Sequence, residues 1–256
     1  NSGNYATLTD VSNTGNITVC NTLETGATSW FSVGGITGYD GQEPPMTNCK
    51  NSGNITVTGN WLREGQVDED GKEVHYPLRV GGIVGYPSSF AKLRAGAVNT
   101  GNITIGAEGV KTSVDYLCVG GIWGEATSTS ATMTDPINTG NITITNVTNK
   151  NVAGSYVGGI VGKTVAKTTN AQSYCDISAV GYENTGMIMG IPRADATLAS
   201  TCKLGGRIAT ANGEDGSCVF GISLQLFCKV RIKFLSPLSQ QLIDLGSIHP
   251  GDNILG

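Results

Sequence analysis

The chain holds few side chains that could carry out chemistry, and none stands in a known catalytic spacing. The two histidines, His75 and His249, lie outside the His-Glu-x-x-His pattern of zinc peptidases. The sequence also has no Gly-x-Ser-x-Gly elbow and no phosphate-binding Walker loop. A Ser-His-Asp triad stays open as an alternative, because its members meet in space. We predict no catalytic residue, no cofactor and no metal site.

Five charged residues are the candidates for an enzyme that acts on polysaccharides, as some right-handed β-helices do. They are three carboxylates and two basic groups: Asp115, Glu125, Asp135, Arg79 and Lys92. Carboxylates and basic groups are the usual proton-transfer catalysts in such reactions. Their spacing does not mark them as a cluster, so solvated surface charge is the preferred interpretation.

Three aromatic residues are the candidates for binding a glycan, because sugar rings dock on exposed aromatic faces. Trp123 occupies a position that other repeats fill with Thr or Val, and Trp61 and Tyr76 bracket an inserted segment. The alternative is that these rings pack over a loop or between neighbouring coils.

Seven cysteines are present: Cys20, Cys49, Cys118, Cys175, Cys202, Cys218 and Cys228. No Cys-x-x-Cys spacing occurs, which disfavours a zinc or thioredoxin-like site. We expect small buried apolar residues, with one or two disulfides as the alternative.

Two short motifs alternate along the chain and must position all of these residues. Asn-Ser/Thr-Gly-Asn-Ile-Thr-Val/Ile begins at Asn13, Asn51, Asn99 and Asn138, with a weaker copy at Asn184. Val-Gly-Gly-Ile-x-Gly begins at Val33, Val80, Val119 and Val157, with a degraded copy at Leu204. Each motif is too short to bury its apolar face alone, so the repeats must stack into one continuous core.

The alternation of residue types inside each motif predicts which side chains stack. Ile103 and Ile105 should lie inside with Thr104 outside, and the equivalent residues of the other copies should form ladders. The motif asparagines should hydrogen-bond from coil to coil. In the second motif we expect Ile83 and its equivalents inside, a bend at the Gly-Gly pair, and the next position outside. That outward column is Thr37, Val84, Trp123 and Val161.

The alternating motifs resemble the GLUG-motif repeats of bacterial surface proteins, over about residues 1–212. Such repeats occur in large secreted adhesins and beside the peptidase domain of IgA-cleaving metalloproteases. The resemblance implies a β-solenoid, an extracellular or cell-surface location and no catalytic residues in the repeats. The chain departs from the pattern at Met187, Met189 and Arg207, which we interpret as the solenoid ending in a cap.

Two segments lie outside the repeat pattern. Residues 60–79 form an insertion rich in charge, and Asp70-Gly71 predicts a hairpin turn. A calcium site at Asp68, Asp70 and Glu73 is disfavoured, because the full Asp-x-Asp-x-Asp-Gly loop is absent. From residue 213 to 256, an alternating strand followed by Ser236-Pro237 and a short helix predicts a cap, with a strand donated to another subunit as the alternative.

Composition limits the partners. Only 14% of the residues are charged and the formal net charge is −4, which disfavours nucleic-acid binding. No stretch of about 18 apolar residues exists, so we expect no membrane insertion by this segment. Five Asn-x-Ser/Thr sequons occur, but four are the repeat itself, and a single threonine column is narrow for an ice-binding face. The chain opens inside a repeat, so we expect a piece of a longer protein.

Together these features predict an all-β protein. We expect a parallel, right-handed β-solenoid of about four to five coils with a C-terminal strand–helix cap. The function we expect is that of a stalk or an adhesive surface that contacts glycans or proteins and can associate end to end. A carbohydrate-active β-helix enzyme is the alternative.

Overall fold

The fold is an all-β solenoid of parallel strands. A computed structural model describes residues 7–24, 31–40, 45–62, 67–87, 92–192, 197–198 and 202–209, and every regular element among them is a strand. No helix able to cross a bilayer occurs in these ranges. The predicted cap over 213–256, like Cys218 and Cys228, lies outside the described residues.

Five parallel sheets, named I to V in the order in which the chain visits them, form the sides of the solenoid. Strands are numbered in chain order. Sheet I contains β1 (Leu8–Thr9), β6 (Met46–Thr47), β11 (Lys92–Ala95), β17 (Thr132–Thr134), β23 (Lys167–Thr169) and β28 (Thr197–Leu198). Sheet II contains β2 (Ser12–Asn13), β7 (Lys50–Asn51), β12 (Val98–Asn99), β18 (Ile137–Asn138), β24 (Gln172–Ser173) and β29 (Lys203–Leu204).

The other sheets follow along each coil. Sheet III contains β3 (Ile17–Asn21), β8 (Ile55–Gly59), β13 (Ile103–Ile105), β19 (Ile142–Ile144), β25 (Ile177–Ser178) and β30 (Ile208–Ala209). Sheet IV contains β4 (Phe31–Gly34), β9 (Pro77–Gly81), β15 (Tyr116–Gly120), β21 (Tyr156–Gly158) and β26 (Thr185–Gly186). Sheet V contains β5 (Thr37–Asp40), β10 (Val84–Pro87), β16 (Trp123–Ala126), β22 (Val161–Thr164) and β27 (Met189–Pro192). A short pair, β14 (Thr112–Val114) and β20 (Val147–Asn149), lies between sheets III and IV in the chain.

The predicted aliphatic ladder is confirmed in sheet III. Ile103 pairs in register with Ile55 on one side and with Ile142 on the other, and the column continues to Ile177. Ile103 and Ile105 are buried while Thr104 between them is partly exposed. Because like residues repeat at each coil, identical side chains fill identical spaces along the core.

The buried side chains form two clusters. One joins sheets III and IV through residues such as Ile105 and Val119, and the other joins sheets I and V through residues such as Met133 and Val161. The corner between sheets IV and V is the Gly-Gly pair of the second motif. A Cβ on Gly121 would overlap the carbonyl oxygen of Gly159 in the next coil, so the predicted bend where bulk does not fit is confirmed.

Three of the four side chains predicted to point outward in sheet V are instead buried, and the fourth, Thr37, is partly exposed. Val84, Trp123 and Val161 are each at most 1% exposed. They pack in the second core cluster with sheet I residues such as Leu93 and Met133. The prediction failed because sheet I covers this face of sheet V, which the alternation of polar and apolar residues within one strand does not reveal.

Each of the two weak motif copies was assigned to the wrong motif by the sequence pattern. Thr185-Gly186 pairs with Val157-Gly158, so the segment at Asn184 occupies the place of the second motif. Lys203-Leu204 pairs with Gln172-Ser173 in sheet II, so the segment at Leu204 occupies the place of the first motif. The sheet in which a divergent copy pairs therefore identifies its motif, whereas the glycines that it still contains do not.

A further copy of the first motif begins at Ser173. Ser173 takes the place of Asn138, and Ile177 follows Ile142 in the ladder. The outward column of sheet III continues from Thr143 to Ser178, so Met189 does not interrupt it. Ser173-Tyr-Cys-Asp lacks the glycine that identifies the other copies, which is why the sequence pattern concealed it.

Candidate functional site

Two columns of asparagine join the coils, and they confirm the predicted coil-to-coil hydrogen bonds. In the inner column, Asn51 donates from Nδ2 to Oδ1 of Asn99 at 2.9 Å, and Asn99 donates in the same way to Asn138 at 2.8 Å. In the outer column, Oδ1 of Asn54 accepts the backbone N–H of Asn102 at 2.9 Å, and Oδ1 of Asn102 accepts that of Asn141 at 2.9 Å. The asparagines of the outer column, each of which begins an Asn-x-Ser/Thr sequon, thus have a structural role.

A buried ion cluster connects sheets IV and V. Its members, here called the acid–base cluster, are Arg79 on β9, Glu125 on β16 and Lys163 on β22. Arg79 Nε lies 2.6 Å from Oε2 of Glu125, and Lys163 Nζ lies 3.1 Å from Oε1 of the same carboxylate. The side chains of Arg79 and Glu125 are 7% and 3% exposed, whereas that of Lys163 is 27% exposed.

Tyrosine rings surround the acid–base cluster. The guanidinium carbon of Arg79 lies 4.2 Å from the ring centroid of Tyr86, and Lys163 Nζ lies 5.4 Å from that of Tyr156. Tyr86 in turn stacks on Tyr39 with centroids 5.7 Å apart and planes at 12°. Cations over aromatic faces are attracted by the ring quadrupole, so the rings hold both cations in place.

The protonation states follow from burial and from the shared carboxylate. Burial opposes the charged form of Lys163, but the attraction and hydrogen bond of Glu125 outweigh it, so the pKa of Lys163 lies above its usual value. Burial raises the pKa of the Cys118 thiol, and the Glu125 charge raises it further. The pKa of Tyr116 is raised mainly by burial as well. Lys163 is therefore a protonated ammonium at neutral pH, and the Cys118 thiol and the Tyr116 phenol are neutral.

Of the five charged candidates from the sequence, the structure brings Arg79 and Glu125 into direct contact. Asp115 is buried, with Oδ1 3.6 Å from Nδ1 of His75. Asp135 accepts a hydrogen bond from Asn170 at 2.8 Å, and Lys92 is exposed on β11.

The three candidate aromatic residues do not form one surface. Trp123 is 1% exposed within the core, and its indole N–H has no hydrogen-bond partner among the described residues. Trp61 is 5% exposed, packs edge-on against Phe31 at 4.5 Å and donates to the carbonyl oxygen of Thr58 at 2.9 Å. Tyr76 is half-buried. The expectation that Trp123 is exposed to a ligand is wrong, because the second core cluster encloses it.

The inserted segment makes a tight loop at the predicted turn. Val67 and Glu73 form an antiparallel bridge, and the Asp68 side chain accepts the backbone N–H of Lys72 at 2.8 Å. Lys150 and Glu73 form a partly exposed ion pair at 3.5 Å. No group of three or more metal-ligating side chains occurs within the described ranges. The five cysteines that the structure describes are free thiols.

The sequence interpretation missed Lys163 and the tyrosines, although a signal exists. Tyr39, Tyr86, Glu125 and Lys163 each follow the last glycine of a second-motif copy, and Tyr86 pairs with Tyr39 as Lys163 pairs with Glu125. These four residues are here called the sheet V column. Aligning the copies and reading one residue beyond the motif would have revealed it.

The chain was compared with protein-family models, with curated proteins and with solved structures, and none of the three comparisons finds a match.

Proposed function

We propose that the chain is a non-enzymatic repeat module that forms a stalk or adhesive surface of a bacterial cell-surface protein and contacts glycans. The observation that carries the proposal is the in-register stack itself, whose polar side chains tie one coil to the next. Such a stack offers a long, rigid lateral surface. The extracellular location rests on the resemblance to GLUG repeats. A right-handed solenoid of about four to five coils with a C-terminal cap remains part of the proposal.

The chemistry of the acid–base cluster supports binding rather than catalysis. Both oxygens of Glu125 are engaged by cations, and its side chain is 3% exposed. A carboxylate held in this way is a poor general base, and a lysine whose pKa is raised is protonated when a base is needed.

The alternative is a carbohydrate-active enzyme, and one observation favours it. Three charged groups converge at the acid–base cluster, two of which, Glu125 and Lys163, could transfer protons, and Lys163 reaches the surface. In such an enzyme Lys163 would act as the acid that protonates a leaving group, and turnover would require both Lys163 and Glu125.

Incubation with a panel of polysaccharides separates the two functions. We expect no new reducing or unsaturated ends with any substrate, and binding to at least one glycan. Turnover that disappears in the Lys163→Met variant and persists in a Lys167→Met control would overturn the non-enzymatic proposal.

A further inference from the structure

The sheet V column presents an aromatic platform at one end. Tyr39 is 65% exposed although its ring stacks on Tyr86, and Tyr86 is only partly exposed. The hydroxyl of Tyr86 is fixed by a 3.0 Å hydrogen bond with Oγ1 of Thr127. A ring that is held in place while most of its surface stays open needs little ordering when a ligand stacks on it.

The other end of the column presents a fixed cation. An ammonium group has three donors, and the described contacts of Lys163 place it 3.1 Å from Glu125 Oε1 and over the ring of Tyr156. Its side chain keeps 27% of its surface exposed, so donors remain for an anion from solvent.

We propose that the sheet V column binds an acidic polysaccharide that runs along the solenoid axis, with a sugar ring on Tyr39 and a carboxylate group on Lys163. The four residues lie on four neighbouring strands, so the column spans about 14 Å at the usual strand spacing. That length accommodates a few sugar units of an extended chain. The inference rests on the proposed adhesive function and adds the class of ligand.

Local charge selects an acidic over a neutral glycan. A hydrogen bond from the partly exposed ammonium group of Lys163 is strongest when its acceptor is an anion, which a neutral sugar does not supply. Neighbouring acidic groups on one polymer would bind repeatedly at the same column, which raises the apparent affinity.

Calorimetric titration of the whole chain with two cellulose derivatives tests the ligand class. Carboxymethyl cellulose and hydroxyethyl cellulose share a backbone and differ in charge. We expect carboxymethyl cellulose to bind at least about tenfold more tightly at low salt, with the difference shrinking as salt screens the ion pair. Equal affinity for the two polymers would overturn the proposal.

Three variants test the site itself. Lys163→Met should weaken binding of carboxymethyl cellulose about tenfold, and Tyr39→Ala several-fold. Lys167→Met removes an exposed lysine on β23 and should leave binding unchanged. Thermal unfolding of each variant identifies a loss of folding, and Tyr39→Ala keeps the test valid if Lys163→Met unfolds, because the Tyr39 ring is mostly exposed. Wild-type affinity in both site variants, or an equal loss in Lys167→Met, would refute the site.

The same samples are assayed for new reducing or unsaturated ends. Cleavage would overturn the non-enzymatic function whatever the affinities are. No cleavage together with no preference for the acidic polymer would overturn only the acidic-polysaccharide site.

Discussion

At the scale of single residues, Glu125 is the shared ion-pair partner of both cations in the acid–base cluster. Its carboxylate contacts both Arg79 and Lys163 inside a largely closed site. A buried ion pair gives modest net stability when complete, but removing one partner leaves an uncompensated buried charge.

Replacement of Glu125 should therefore be costly. We expect Glu125→Gln to lower the free energy of unfolding by about 3–5 kcal/mol, measured by urea denaturation. Glu108→Gln, at an exposed position, is the matched control and should change stability by less than about 0.5 kcal/mol. A similar small change in Glu125→Gln would mean that Arg79 does not depend on this carboxylate.

Stability should decrease at alkaline pH. Burial raises the pKa of the Cys49, Cys118 and Cys175 thiols above their usual 9.0, so they stay protonated in the folded chain after unfolded thiols have lost their protons. The folded chain then binds more protons than the unfolded chain, and the free energy of unfolding falls as pH rises through 9.0. The raised pKa of Lys163, whose usual value is 10.5, extends the decrease to higher pH.

Urea denaturation at pH 7, 9 and 10.5 measures this decrease. Cys118→Ala is the control, because it removes one titrating thiol and should make the decline shallower. A free energy of unfolding that stays constant or rises over this range would contradict the assignment of neutral buried thiols.

At the scale of elements, the corner between sheets IV and V is the least tolerant part of the coil. Gly121 faces both the backbone of Gly159 and the side chain of Asn138 at overlap distance from a hypothetical Cβ. Backbone cannot move aside cheaply when it also belongs to the next coil.

We expect Gly121→Ala to destabilise the chain by about 3 kcal/mol or more, as measured by thermal or urea unfolding. Gly15→Ala provides the control, since its Cβ would meet only Oδ1 of Asn13 at an ordinary 3.6 Å. Equal stability of the two variants would show that the corner can widen.

Element pairing was the part of the fold that the sequence predicted well. The Ile103 ladder, the asparagine hydrogen bonds and the glycine corner follow from residue type and alternation alone. The environment of Trp123 does not, because the sheet that covers it comes from elsewhere in the coil. The acid–base cluster was not predicted: Arg79 and Glu125 were candidates, but solvated surface charge was the preferred interpretation for both, and the sequence analysis did not single out Lys163.

At the scale of the whole molecule, one edge of the solenoid has no further strand partner within the described residues. Among the described residues, strands β3, β4 and β5 pair only with β8, β9 and β10. An unpaired parallel edge favours pairing with another strand. We expect the chain to self-associate end to end as its concentration rises, and static light scattering over a dilution series measures the association.

Introducing a charged side chain at the edge formed by β3, β4 and β5 tests whether the chains associate through this edge. Thr18→Lys changes an exposed position on β3 and should shift association to higher concentration, whereas Thr104→Lys, on β13 between two partner strands, should not. Monodisperse monomer at high concentration would refute the association, and equal effects of both variants would place the contact on a lateral surface.

The inner asparagine column fixes the spacing of the coils along the solenoid axis. Successive asparagines in contact are separated by 38, 48 and 39 residues, yet each step makes the same amide hydrogen bond at 2.8–2.9 Å. Residues inserted within a coil therefore leave the rise per coil along the axis unchanged and extend away from the axis. The distance along the solenoid axis therefore depends on the number of coils and not on the number of residues. A foreign peptide grafted at Asp70-Gly71 would be displayed at a fixed position along that axis.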